Sequence, residues 1–106
     1  MTGRLTTHVL DTATGRPAAG LRITLRRGGA VLGRFVTNAD GRCDGPLLEG
    51  ESLVAGEYEL LFDVGAWRDG GFYREIPIRF CVDDASGHTH VPLLLSPFGY
   101  STYRGS

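Results

Sequence analysis

The chain has 106 residues, of which 42% are hydrophobic, 22% charged and 9% aromatic, with sixteen Gly, five Pro and a net charge of −1. That composition describes a single domain over 1–106 with room for one core, and it excludes two. No apolar run approaches the roughly 20 residues of a membrane span, and all eleven cations are Arg, scattered among twelve acids without a basic stripe, so neither a membrane nor nucleic acid is the expected partner.

Met1-Thr2-Gly3-Arg4-Leu5 runs almost at once into an alternating pattern. It lacks the charged and apolar regions of a signal peptide, and the expected compartment is the cytoplasm. Cys43 and Cys81 lie far apart with no CxxC spacing, which predicts two reduced, mostly buried thiols rather than a disulfide or a redox pair.

Period-two alternation dominates the chain. Arg4 to Leu10 reads as a first strand, ended by the turn residues Asp11 to Pro17. Leu21 to Arg26 alternates most cleanly, with Leu21, Ile23 and Leu25 on a buried face. Gly28-Gly29 predicts a hairpin into Val31–Thr37. Asn38-Ala39-Asp40-Gly41 is a second turn, and Gly45 to Gly56 is a loop with one short strand around Leu47 and Leu48. Glu57–Val64 and Tyr73–Val82 are further strands, separated by room for one helical turn over Ala66–Gly70. Asp83 to Gly87 turns the chain into His88–Leu95, and Pro97 opens a last short segment through Tyr100. Seven or eight short strands with frequent turns predict an all-β fold, an antiparallel sandwich or barrel. The tail from Ser96 to Ser106 holds three aromatic residues and its own turn signals, so it is expected to dock.

The histidines are His8, His88 and His90. In an extended segment His88 and His90 leave the same face of the sheet, and His8 sits mid-strand among Thr and aliphatic residues. Each alone reads as a structural, hydrogen-bonded histidine. A His-x-His pair with a third distant His is also a zinc-ligand geometry, for which Asp83 and Asp84 would be the available acidic supports. Arg42 follows a turn, a common place for a solvated cation. Its planar fork of donors also suits a planar heterocycle bearing carbonyl oxygens and negative charge.

Four segments carry a more specific signal: Leu5-Thr6-Thr7-His8-Val9-Leu10-Asp11-Thr12, Thr37-Asn38-Ala39-Asp40-Gly41-Arg42, His88-Thr89-His90-Val91-Pro92-Leu93-Leu94-Leu95-Ser96-Pro97 and the closing Tyr103-Arg104-Gly105-Ser106. In this order they resemble the 5-hydroxyisourate hydrolases, the transthyretin-related proteins of purine breakdown, essentially from Leu5 to Ser106. The closing motif separates the resemblance from transthyretin itself. What it implies is a β-sandwich of two four-stranded sheets with one short helix, assembled as a homotetramer with active sites where two dimers meet. His8, Arg42, His90 and Ser106 match the family's catalytic set. Tyr103, Arg104 and Gly105, together with His8 and Arg42, match its substrate contacts, and His88 is taken as structural or supporting. The family's longer helix is replaced here by the short, Gly-rich stretch Ala66–Gly71, and Phe72-Tyr73 is followed by Arg74 where the family usually has proline.

The implied reaction is hydrolysis of 5-hydroxyisourate to 2-oxo-4-hydroxy-4-carboxy-5-ureidoimidazoline, without metal or other cofactor. Opening a cyclic acyl–nitrogen bond needs a base for water, a donor for the oxyanion and an acid for the leaving nitrogen, and two histidines with an arginine supply all three. Three other readings compete with it: a transthyretin-like carrier of an aromatic ligand, an immunoglobulin-like interaction module and a zinc hydrolase. A carrier has little use for His8, Arg42 and His90 in its channel, and a module has none for a structured polar terminus.

Overall fold

The computed structural model describes residues 3–105. The predicted strands are present: β1 (Arg4–Asp11), β2 (Arg16–Pro17), β3 (Arg22–Arg27), β4 (Ala30–Val36), β5 (Leu48–Glu49), β6 (Gly56–Asp63), β7 (Glu75–Val82), β8 (His88–Leu95) and β9 (Tyr100–Thr102). Two short strands form at positions not anticipated. Arg16–Pro17, expected as turn, pairs with the end of β1, and the last strand begins at Tyr100 rather than Pro97.

One sheet has the order β4-β3-β6-β7 and is antiparallel throughout. The other is built on β1 and β8, and here an expectation fails, because these two strands run parallel from Arg4↔His88 to Asp11↔Leu95. They belong to opposite ends of the chain, so no hairpin dictates their direction. Short pieces line both flanks of the pair. On one side β5, a bridge at Arg42 and β2 share the edge of β1. On the other, β9 pairs with Leu93–Leu95, and Gly105 bridges to His90. Pro92 has no N–H to donate and falls between those last two pairings, where Thr102 Oγ1 donates to its carbonyl at 2.8 Å.

The two sheets bury their facing rows. Leu5 and Val9 of β1 and Val91, Leu93 and Leu95 of β8 pack with Leu21, Ile23 and Leu25, and with Tyr58, Leu60 and Phe62 of β6. Truncating a side chain as buried as Phe62 costs about 3–5 kcal/mol. The buried hydroxyls are satisfied: Thr7 donates to the Val91 carbonyl, while Thr37 donates to the Ala18 carbonyl and accepts from the Leu21 N–H. The β3–β4 hairpin closes through Gly28 and Gly29, both at positive φ as its two-residue turn requires.

The helix is one turn, α1 (Val64–Trp67), two residues earlier than its sequence suggested. Asp63 ends β6 and caps it by accepting from the Ala66 N–H. Arg68, just beyond, pairs with the buried Asp11 at the end of β1. Both cysteines are free. Cys43 is half-buried, but Cys81 is exposed, contrary to the expectation of buried thiols, because alternation along the edge strand β7 turns it outward with Glu75, Pro77 and Arg79. Among the described residues no helix is long and apolar enough to cross a membrane.

Candidate active site

With Leu5, Thr7 and Val9 committed to the core, the period of two turns Arg4, Thr6 and His8 to the outer face of β1. The same rule on β8 turns His88 and His90 outward against Val91 and Leu93. Parallel pairing sets Thr6 opposite His90 and Arg4 opposite His88, with His8 one pair further on, so the three histidines share one outer face.

Arg42 reaches the edge of this face through its turn. Asn38 Oδ1 accepts from the N–H groups of Asp40 and Arg42, and the Val9 N–H donates to the Gly41 carbonyl at 2.8 Å. Gly41 has φ +73°, and a Cβ there would meet the Val9 carbonyl oxygen at 2.4 Å. Only glycine allows the turn to lie this close to β1 and bridge Arg42 to His8. The Arg42 side chain is exposed, and among the described residues no carboxylate pairs with it. With Arg4, Thr6, Cys43 and His88 it lines an open depression of about 310 Å³, the scale of a small heterocycle rather than a polymer.

From the other flank comes the tail. The Gly105 N–H donates to the His90 carbonyl at 2.9 Å, and a Cβ on Gly105 would come within 2.4 Å of His90 Cδ2. Tyr103 and Arg104 are exposed and line, with His88 and His90, a separate cleft that opens toward Phe80 and Cys81 of β7. The structure thus gathers His8, Arg42, His90 and Gly105, and sets Tyr103 and Arg104 beside them across β8. Ser106 lies outside the described residues.

Burial and neighbouring charge favour the neutral imidazoles. Burial lowers the proton affinity of His8 below the ordinary 6.5, and the Arg42 charge lowers it further, against an opposing pull from Asp40. His90 is lowered by burial, then by Arg42, His88 and His8. His88 is lowered by burial and by Arg4. Among the described residues no group of three or more His, Cys, Asp or Glu is placed to hold a metal ion. The acids considered as supports for zinc are engaged elsewhere: Asp84 accepts from Ser86 in its own turn, and Asp83 accepts from the Cys81 thiol.

The sequence pattern of the HIUase/transthyretin family matches residues 5–105. The chain belongs to this family. A 5-hydroxyisourate hydrolase 2 from Rhizobium meliloti (strain 1021) is 54% identical over 116 residues, covering 98% of this chain and 97% of its own. The structure of Klebsiella pneumoniae 5-hydroxyisourate hydrolase superposes with a TM-score of 0.87 at 40% identity, over 97% of this chain and 99% of that one. That of (S)-allantoin synthase superposes with a TM-score of 0.91 at 42% identity and covers 99% of this chain, which spans only 44% of that longer protein. The resemblance read in the sequence is borne out.

Two neighbours of the candidate site are not legible in the sequence. Thr6 lies with its Oγ1 2.6 Å from His88 Nε2 and 2.8 Å from His90 Nδ1, and Asp40, in the turn before Arg42, raises the proton affinity of His8 against burial and Arg42. Alternation alone puts Thr6 on the face of His8. Its position between the other two histidines follows only from the β1–β8 register.

Proposed function

We infer that this chain is a 5-hydroxyisourate hydrolase, an enzyme of purine degradation that opens its cyclic substrate by attack of water on a ring carbonyl. The observation that carries the reading is the meeting of two imidazoles of lowered proton affinity with a guanidinium that no carboxylate among the described residues pairs, on one outer sheet face. A neutral imidazole of His8 or His90 takes the proton of the attacking water. Arg42 orients the ring of the substrate and stabilises the negative charge that develops on its carbonyl oxygen. The second imidazole returns a proton to the leaving nitrogen. Ser106 orients water or relays a proton, and Tyr103, Arg104 and Gly105 border the bound heterocycle.

The working unit is a homotetramer with its sites at the contact between dimers. The exposure of Phe72, Phe98 and Tyr103, at 69%, 78% and 57%, supports this, since large apolar side chains gain by being covered. The deciding experiment follows the ultraviolet absorbance of freshly generated 5-hydroxyisourate with wild type and with His90→Ala. Acceleration by the wild type that is lost in the variant is the expected result. No acceleration by a folded tetramer would reject the reading.

A further inference from the structure

We propose that the Thr6 hydroxyl is a positioning residue for hydrolysis: it joins His88 and His90 in one hydrogen-bonded row and presents His90 with its Nε2 lone pair free to act as base. The proposal rests on the hydrolase reading above and adds Thr6 and His88 to it.

The row follows from the register. Thr6 stands opposite His90, His88 is the next outward residue of β8, and the two imidazoles lie 5.9 Å apart by their centroids with planes at 53°. The Thr6 oxygen is within hydrogen-bond distance of a nitrogen on each ring. A hydroxyl has one proton, so it donates to one ring and accepts from the other. The two histidines therefore cannot choose their tautomers independently.

Two arrangements satisfy both contacts. In the first, Thr6 donates to His90 Nδ1, which puts the His90 proton on Nε2 and makes that nitrogen an acid. In the second, His90 Nδ1–H donates to Thr6 and Thr6 O–H donates to His88 Nε2, which leaves His90 Nε2 as a base. The second is the one the role of base requires, since it alone leaves His90 Nε2 unprotonated. In either arrangement solvent satisfies the remaining Nδ1 of the exposed His88, so His88 does not oppose this choice.

The same row gives His90 a way to share charge. When His90 Nε2 takes a proton from water, its Nδ1 proton passes to Thr6 Oγ1 while the Thr6 proton passes to His88 Nε2. One N–H and one O–H bond break, one O–H and one N–H bond form, and the positive charge moves to the exposed ring. Arg42, His8 and His88 oppose a lasting charge on His90, and Arg4 opposes one on His88, so the shift is transient and reverses as the leaving nitrogen is protonated.

The test compares wild type with Thr6→Val, which keeps the shape without the hydroxyl, and Thr6→Ser, which restores it. Steady-state kinetics across pH are paired with the 15N resonances of the imidazoles, which report each tautomer. The proposal expects wild-type His90 protonated at Nδ1 and unprotonated at Nε2. Thr6→Val should lose that preference and lower kcat about tenfold or more with KM changed by roughly twofold at most, and Thr6→Ser should recover both. An unchanged tautomer and unchanged kcat in Thr6→Val would overturn it, as would a lost kcat with the wild-type tautomer intact. Should the wild type fail to act on 5-hydroxyisourate, the hydrolase reading falls by itself. In that case a changed tautomer in Thr6→Val still upholds the row, and an unchanged one overturns it.

Discussion

Gly105 and His90 are pressed together so closely that residue 105 has no room for a side chain. The Gly105 N–H donates to the His90 carbonyl, and the missing Cβ would overlap Cδ2 of the ring at 2.4 Å. Gly105→Ala must therefore turn the His90 imidazole or push the tail from β8. We expect kcat to fall about tenfold or more with little change in Tm, since the clash lies at the surface of the sheet and not in its core. Activity within about twofold of wild type would mean that His90 tolerates reorientation.

The histidine shifts set a pH dependence. A depressed proton affinity means that His8 and His90 remain neutral to lower pH than free histidine. Turnover should be flat above pH ~7 and should fall only as the pH drops below the ordinary histidine value of about 6.5. A rate profile that declines already from pH ~8 to 7 would contradict this sign.

Arg42 affects that profile in two separable ways. Arg42→Ala removes a positive charge that lowers both imidazoles, so the acid limb should move to higher pH while turnover collapses by about a hundredfold or more. Arg42→Lys keeps a charge but loses the planar fork. Its acid limb should stay near that of wild type while turnover still falls by about tenfold or more, as a comparison of the two profiles will show.

The pair Asp11–Arg68 anchors α1 to the end of β1. Burial alone would raise the Asp11 carboxyl, but hydrogen bonds from Arg68, Thr14 and the Ala13 N–H bring it below the ordinary 3.8. A depressed carboxyl contributes stability above its unfolded value, and that contribution is lost as the pH falls through the lower folded value. Asp11→Asn should therefore cost about 3–5 kcal/mol at pH 7, by leaving the Arg68 charge half-buried and unpaired. The deficit should narrow as the pH falls below ~4. Urea unfolding of both proteins across that range measures it.

Alternation made the outward row of β1 and the His88/His90 pair readable, and turn chemistry located Arg42. Strand direction and register were not readable. His8 and His90 stand at opposite ends of the chain, and no local signal distinguishes parallel from antiparallel pairing between strands so far apart. Thr6 was overlooked for the same reason: threonine on an outward strand position is ordinary until the opposing residue is known. The exposure of Cys81 is not legible from composition, since thiols are most often buried and its side of an edge strand depends on the alternation of β7.

The candidate site draws on four stretches of chain, around residues 6–8, 40–42, 88–90 and 103–105, and two of these flank β1–β8 through single bridges rather than ladders. That layout leaves both flanks held to the sheet by few backbone hydrogen bonds. The inner strands can form, and the core can close, before either bridge is made. An intermediate with native sheets would then be silent as a catalyst, and the recovery of activity on refolding would lag behind the recovery of circular dichroism.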